Sequence, residues 1–541
     1  MNSMNLSRYI KQFWLQNIGV VLVEVFKSVT DTVANILMAN ALTALTKLQA
    51  HEFLVWSAWA VLAYLGGAVG IYLEIYYVTH VIYLMDTALR RDIGQKLAAV
   101  NYEEYHRQSD SVYVSWLTND ITQINTYGFY NLVDIFSAIS DIVFALIGLL
   151  YYRYSLVLLT VMLAVVMLVV PKLFGQPVQK RSQALSAANE QSMNQFSDIL
   201  AGFDDLLMLN LRQRIVEKIA ASSTRFMHAT DRHKQLVGAM VGSSAAIGNL
   251  SQVAVMGFTG YLAFQRLVPI GAIMATRNFA ESIFTGVANA GTLGIVTQGL
   301  DPLFAKYNAL TPDPAKGQGM VGPLRQALQM NQVSFTYPDA QQPTLADFNL
   351  TLGAGKNYAL VGPSGQGKTT IINLLAGNLT QYKGTLRFDG QDYRTIAPQA
   401  IRDQIVVLNQ IPFIFNDTLR QNITLGREFT DQQLQTALTE SGLADVVAKL
   451  PQGLDTLLTK SGRNLSGGQR QRVALARGLI GGRKIVFMDE GTASLDEAAA
   501  AQIEDSLLAR ADVTLLMVTH HLRNEIRPQF DRVITLGEEQ D

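Results

Sequence analysis

The sequence predicts two units of different physical character: an α-helical transmembrane domain of six helices with long cytoplasmic extensions, followed by an α/β phosphate-binding domain. Three observations carry that prediction. The chain has 541 residues, more than one ordinary domain holds. It is 49 % hydrophobic and only 16 % charged, with mean hydropathy +0.17, whereas soluble proteins are about a quarter charged. Apolar runs crowd the first 300 residues, and a glycine-rich strand-loop-helix pattern lies beyond them. The expected domains are 1–305 for the transmembrane part, 306–325 for a linker and 326–541 for the second domain.

Charge and cysteine usage narrow the function. Net charge is −1 and no long basic block occurs, so a nucleic-acid partner is not expected. The absence of cysteine excludes disulfides, thiolate metal sites and cysteine-protease chemistry. The N-terminus, MNSMNLSRYIKQFWLQ, lacks the short apolar core and small-residue cleavage site of a removed signal. Trp14, Phe13 and Tyr9 with Arg8 and Lys11 suit a helix in the lipid headgroup region, with a solvated helix start as the alternative.

Six apolar stretches approach the roughly 20 residues that a membrane-spanning helix needs. They are 18–45, 54–83, 132–152, 156–170, 236–264 and 270–300, the fourth short and the sixth rich in glycine. Connections near His51, Arg153 and Arg266 are short, while 86–128 and 172–234 are long and charged. Six spans put both termini on one side, and the many lysines and arginines of the second long connection favour the cytoplasm for it. Both long connections keep a helical rhythm, so the membrane helices should continue as struts, with turns at 105–115 and 197–204 touching the second domain or serving as plain loop tips.

Ionisable residues within the spans are costly and tend to face partners or a water-filled cavity. Glu24, Lys27 and Asp31 share one helix face, as do Arg277 and Glu281, and Asp134 and Asp141 lie two turns apart. The first two sets are expected to line a polar translocation cavity, with structural ion pairs as the competing reading.

A proline-rich linker, DPLFAKYNALTPDPAKGQGMVG, introduces the second domain. Its segment YALVGPSGQGKTTIINLL runs a short strand into Gly362, Pro363, Ser364, Gly365, Gln366, Gly367, Lys368, Thr369 and Thr370, then into a helix. That is a P-loop: backbone N–H groups turn inward around phosphates, Lys368 neutralises the β- and γ-phosphates, and the Thr369 hydroxyl coordinates magnesium. ATP with Mg2+ is the expected ligand. Further on, KIVFMDE is an apolar strand that delivers two carboxylates at its end. Asp489 suits the metal and Glu490 the attacking water.

Between these anchors Leu465 to Gln469 read LSGGQ, and with it the chain resembles the ABC transporter ATPases. The six-helix region resembles, in pattern, the membrane domain of ABC exporters of the multidrug, lipid and peptide type. The resemblance implies that Tyr337 stacks on adenine, that Gln410 reaches the magnesium ion, and that His520, rather than its neighbour His521, contacts the γ-phosphate. It implies that Asp496 lies in the loop through which two ATPase domains communicate, and that Ser466, Gly467, Gly468 and Gln469 complete the ATP site of a partner chain. One chain is then half of a transporter, and the intact Lys368, Asp489, Glu490, Ser466 and His520 favour a homodimer over a heterodimer. Two departures stand out: LLTKSGRN before the signature lacks the usual acidic residue, and DRVITLGEEQD ends the sequence without the helices that usually follow.

These features imply ATP-driven transport through a cell membrane, with export of a small or amphipathic substrate as the default and membrane lipid as surroundings. An importer or a thiol or metabolite exporter acting as a heterodimer shares the fold. An ATP-powered membrane sensor without flux is the reading from another functional class.

Overall fold

The computed structural model describes residues 3–298, 300–310, 317–338, 340–363, 365–459, 462–491, 497–520 and 522–536. It divides into two compact units: Met1–Ala98 with Ser109–Thr311, and Ala99–Gln108 with Pro312–Asp541.

The first unit is helical. Asn5 starts α1 (Leu6–Gln12) by accepting from the Arg8 N–H, which supplies a partner for an otherwise orphaned donor. Then follow α2 (Trp14–Thr46), α3 (Ala50–Ala99), α4 (Asp110–Tyr152), α5 (Tyr154–Met167), α6 (Val169–Ala201), α7 (Gln213–Phe264), α8 (Ala272–Gln298) and α9 (Asp301–Ala309). The six apolar stretches of the sequence fall in α2, α3, α4, α5, α7 and α8. Among the described residues α3, α4 and α7 are long and apolar enough to cross a membrane, while α5 is shorter. The charges of α2 lower its apolar character.

The struts read from the helical rhythm are present. With 50, 43 and 52 residues, α3, α4 and α7 far exceed what a bilayer requires. At 1.5 Å per residue each is at least about 65 Å long, roughly twice the hydrocarbon thickness. Apolar side chains such as Leu54, Trp59, Leu65 and Ile75 of α3 are exposed, as a lipid-facing surface requires. Inside, Ala39, Ala145, Leu149, Val255, Ala275 and Phe279 form a core in which small residues let helices approach closely. Gly271 shows how closely: a Cβ there would lie 1.8 Å from the carbonyl oxygen of Ala39.

The second unit is α/β. An antiparallel sheet, in the order β2-β1-β4-β5, is built from β1 (Ala327–Phe335), β2 (Leu345–Gly353), β4 (Lys383–Phe388) and the two-residue β5 (Gln391–Asp392). A parallel sheet has the order β6-β7-β8-β3-β9, from β3 (Asn357–Val361), β6 (Ile405–Leu408), β7 (Ile485–Asp489), β8 (Thr514–Thr519) and β9 (Arg532–Thr535). The middle strands are continuous apolar runs, as strands covered on both faces must be. Two helices matter for function: α10 (Lys368–Leu375) after the P-loop and α11 (Gly467–Leu479) after the signature.

Candidate nucleotide-binding site and polar cleft

Because the strands are parallel, their C-terminal ends share one edge of the sheet. Val361 of β3 pairs with Thr519 of β8, Val518 of β8 with Asp489 of β7, and Met488 of β7 with Leu408 of β6. In strand order the chain therefore leaves Gln410, Asp489 with Glu490, His520 and the P-loop side by side, where open α/β sheets bind ligands.

The P-loop turns on Gly365 (φ +83) and Gly367 (φ +79), left-handed conformations that side chains resist. A Cβ on Gly367 would also meet the Thr344 carbonyl at 3.0 Å. The Lys368 ammonium, nearly buried, donates to the Gly362 carbonyl at 2.7 Å and the Pro363 carbonyl at 2.9 Å. It is thus held over the loop. The buried Oε1 of Gln366 lacks a hydrogen-bond partner among the described residues. This cradle of backbone, cation and helix N-terminus fits a polyphosphate.

Two carboxylates close the other side. The carboxyl of Asp489 is raised above its ordinary value chiefly by burial and also by Glu490, with the Thr369 hydroxyl, Lys368 and His520 opposing. Adjacent residues of a strand point to opposite faces, so Asp489 and Glu490 would normally diverge. Glu490 escapes that alternation by adopting φ +50, while its N–H donates to the Val518 carbonyl at 3.0 Å. A left-handed non-glycine residue costs on the order of 1 kcal/mol, a strain typical of functional positions. Its Oε1 then lies 2.6 Å from His520 Nε2 and 4.0 Å from Lys368 Nζ. His520 Nδ1 lies 3.0 Å from the Gly362 carbonyl. A carboxylate, an imidazole and an ammonium thus surround the place where a terminal phosphate would sit. Such a set can orient water and stabilise charge in phosphoryl transfer.

Tyr337 stands beside the P-loop helix. Its ring meets Phe335 edge-on at 4.9 Å, its hydroxyl is 3.3 Å from the Thr370 hydroxyl, and it is 39 % exposed. An aromatic face is therefore accessible to a base. Gln410 lies two residues beyond β6 and is exposed. Ser466 caps α11 reciprocally: its hydroxyl accepts from the Gln469 N–H at 3.3 Å, and Gln469 Oε1 accepts from the Ser466 N–H at 2.9 Å. Gly467 and Gly468 form the first turn, so the signature is a pre-shaped helix N-terminus with Ser466 exposed. Asp496, Ser364 and His521 lie outside the described residues.

The sequence did not reveal what Ala99–Gln108 does within the second unit. Asn101 caps the single turn Tyr102–Tyr105, Glu103 Oε1 accepts from the Thr380 N–H at 3.1 Å, and burial raises the Tyr102 hydroxyl above its ordinary value. The expected turn at 105–115 overlaps this segment only in part: Ala99–Gln108 belongs to the second unit, and Ser109 onward belongs to the helical unit. An asparagine followed by two glutamates is a helix-start signal that would have placed it. The turn near Gly202 joins α6 to a short helix inside the helical unit.

Within the helical unit α4 and α8 enclose a cleft of about 760 Å³ lined by Asp134, Ser137, Asp141, Asn278, Glu281 and Ser282, among others. Of the five residues expected in a cavity, Glu281 lines it. Arg277, on the next helical turn, is 3.9 Å from Glu281 and outside the lining. Glu24 is fully buried and paired with Lys27 at 2.8 Å, and Lys27 also reaches Glu74 at 2.8 Å and the Ser137 hydroxyl at 3.2 Å. They brace the wall from behind. Ser28 does the same by donating to Asp141 at 2.6 Å. Asp31 is exposed and lies outside the lining, next to Gly67 of α3.

The sequence matches the family described as ABC transporter over residues 345–493 and that described as ABC transporter transmembrane region over residues 18–287. The ATP-dependent lipid A-core flippase of Blochmanniella pennsylvanica is 26 % identical over 80 % of this chain and 75 % of its own. The mitochondrial potassium channel ATP-binding subunit of Homo sapiens is 27 % identical over 82 % of this chain and 62 % of its own. A bacterial Atm1-family ABC exporter solved with ATP bound shares the fold, with TM-score 0.80 and 21 % identity over 97 % of this chain and 93 % of that one. The chain belongs to the ABC transporter family, as an ATP-hydrolysing membrane transporter of exporter fold that joins a transmembrane region and an ATPase domain in one polypeptide.

Proposed function

We propose that two copies of this chain act together to export a polar or amphipathic compound across the cell membrane, with the ATPase domains in the cytoplasm. The observation that supports this most is the alignment of Lys368, Asp489, Glu490 and His520 along one sheet edge, in a chain whose apolar helices also enclose a polar cleft. Ser466 is exposed at a preformed helix N-terminus, which suits contact with nucleotide held by a second copy. ATP binding would favour the paired state of the ATPase domains and hydrolysis would release it, which biases the helical unit between two arrangements.

Mg2+ fits the oxygen donors present. The Thr369 hydroxyl and the Asp489 carboxylate would hold the ion, and Gln410 would extend to it. Among the described residues no three acidic or histidine side chains cluster to hold a resident metal, so the cation would arrive with the nucleotide's phosphates. Its chemistry there is to neutralise charge on the β- and γ-phosphates. Glu490 polarises the attacking water, and Lys368 and His520 hold the leaving and transferred groups in line.

The cleft supplies the cargo path. Its wall carries Asp134, Asp141 and Glu281 beside hydroxyls and amides, so it suits a compound that offers hydrogen-bond donors. The test is hydrolysis and flux by the chain alone in lipid vesicles, across a panel of compounds, with Glu490→Gln as background. Compound-stimulated hydrolysis with flux supports the proposal. Hydrolysis without flux of any compound would move the chain to a sensor or channel-regulating role, and an inactive folded protein would point to an unlike partner subunit.

A further inference from the structure

The signature helix α11 is fastened to the segment that carries Gln410, and one residue makes the decisive connection. Gln471 is 3 % exposed, and its side-chain amide donates to the carbonyls of Asn409 at 2.8 Å and Gln410 at 3.0 Å. A buried amide with both hydrogen bonds spent on two consecutive carbonyls fixes that peptide against the helix. Two further contacts extend the connection. Arg477 donates to the carbonyls of Phe413 at 3.0 Å and Asn422 at 2.8 Å. Gly478 allows α11 to press on β6, since a Cβ there would lie 2.3 Å from Val406.

The geometry points to Gln471 as a positioning residue that relays occupancy of this chain's own ATP site to the signature segment it presents to a partner. The inference rests on the reading of Gln410 as a ligand of the nucleotide's metal. A shift of Gln410 toward that metal carries its backbone with it. Gln471 passes the displacement to α11, whose thirteen-residue body is rigid and whose C-terminal part is seated on β6. The free end of that lever is Ser466, the residue that would meet the partner's nucleotide. Hydrogen bonds from a side chain to a neighbour's backbone suit such a relay, because they survive movement of the Gln410 side chain itself.

The chain has no cysteine, so a single Arg463→Cys label beside the signature is unique in the full-length protein. In lipid nanodiscs, on a Glu490→Gln background that prevents hydrolysis, the label should change signal on Mg-ATP addition. Gln471→Met keeps the side chain's length and removes the donors. It should abolish most of that response while ATP affinity stays within about twofold, and in the hydrolysing protein it should lower kcat about tenfold with KM little changed. Leu475→Ala, a core truncation in the same helix, controls for simple loss of stability and should retain the label response. A full response in Gln471→Met, an equal loss in Leu475→Ala, or no response in the parent would each overturn the relay. Gln410→Ala separates the two readings: a normal Mg-ATP response there refutes the role of Gln410, whereas a defect there with a normal Gln471→Met refutes only the tie.

Discussion

The ATPase unit and the helical unit arrange their polar groups by opposite means. In the ATPase unit the backbone does the placing: parallel strands bring Gln410, Asp489, Glu490 and His520 to one edge, with Asp489 ending its strand and the others one or two residues beyond theirs. In the helical unit the side chains do it. Glu24, Lys27, Glu74 and Ser137 come from three helices and hold each other. The first arrangement leaves reactive groups open to a ligand, while the second neutralises charge that lipid surroundings would penalise. Losing one member should therefore cost chemistry in one unit and stability in the other.

The largest effect is expected from Lys27→Met, which strands the buried Glu24 carboxylate. Breaking a buried pair from one side costs on the order of 3–5 kcal/mol, and the Glu24→Gln, Lys27→Met double variant should recover much of it. Thermal unfolding in detergent measures both, and a double variant no better than the single would break the comparison. Glu490→Gln should lower phosphate release by about 100-fold or more while nucleotide binding stays within about threefold, with no loss of thermal stability. Tyr337→Ala should weaken ATP binding by about tenfold, read by titration, with maximal rate nearly kept. Unchanged affinity would remove the tyrosine from the site.

The smallest effect concerns pH. Burial raises the Asp489 carboxyl, so its charged form opposes folding above that raised value, and the cost fades as pH falls through it. The nucleotide-free Asp489→Asn variant should be slightly more stable than the parent at neutral pH, and the gain should vanish as the medium becomes acidic enough to protonate the aspartate. A constant gain across that window would show that the charge is not the cause.

The same contrast explains what could be read from residues alone. The P-loop, the β7 carboxylates and the signature are local patterns in which glycine, lysine and a strand end within a few positions specify their own geometry. The spacing of Glu24 and Lys27 likewise announced a pair on one helix face. Glu74 could not be foreseen as their third member, because a wide π turn over Glu74–Val78 of α3 carries it and no spacing rule links positions 47 residues apart. Nor could the lining of the α4–α8 cleft be read in full: Glu281 lies in it, whereas Lys27 stands behind its wall. Helical periodicity says which residues share a face, but which face looks into the α4–α8 cleft depends on how the helices are rotated against one another. Gln471 was hidden for a related reason: within RQRVALAR it reads as an ordinary polar helix position, and only the fold brings Asn409 and Gln410 under it.

The parallel sheet has a second edge, and it is the place to modify the molecule. There Thr514 donates to the Lys484 carbonyl, Leu515 to the Lys356 carbonyl and Asp531 to the Asn357 carbonyl, all through backbone groups. Just before that edge Gly481 and Gly482 face open space, with Gly482 in a left-handed turn. A peptide tag or a fluorescent protein spliced between these glycines would hang from the end of the sheet farthest from nucleotide. A cysteine-free transporter could in this way carry a reporter without surrendering the single labelling position that a distance measurement needs.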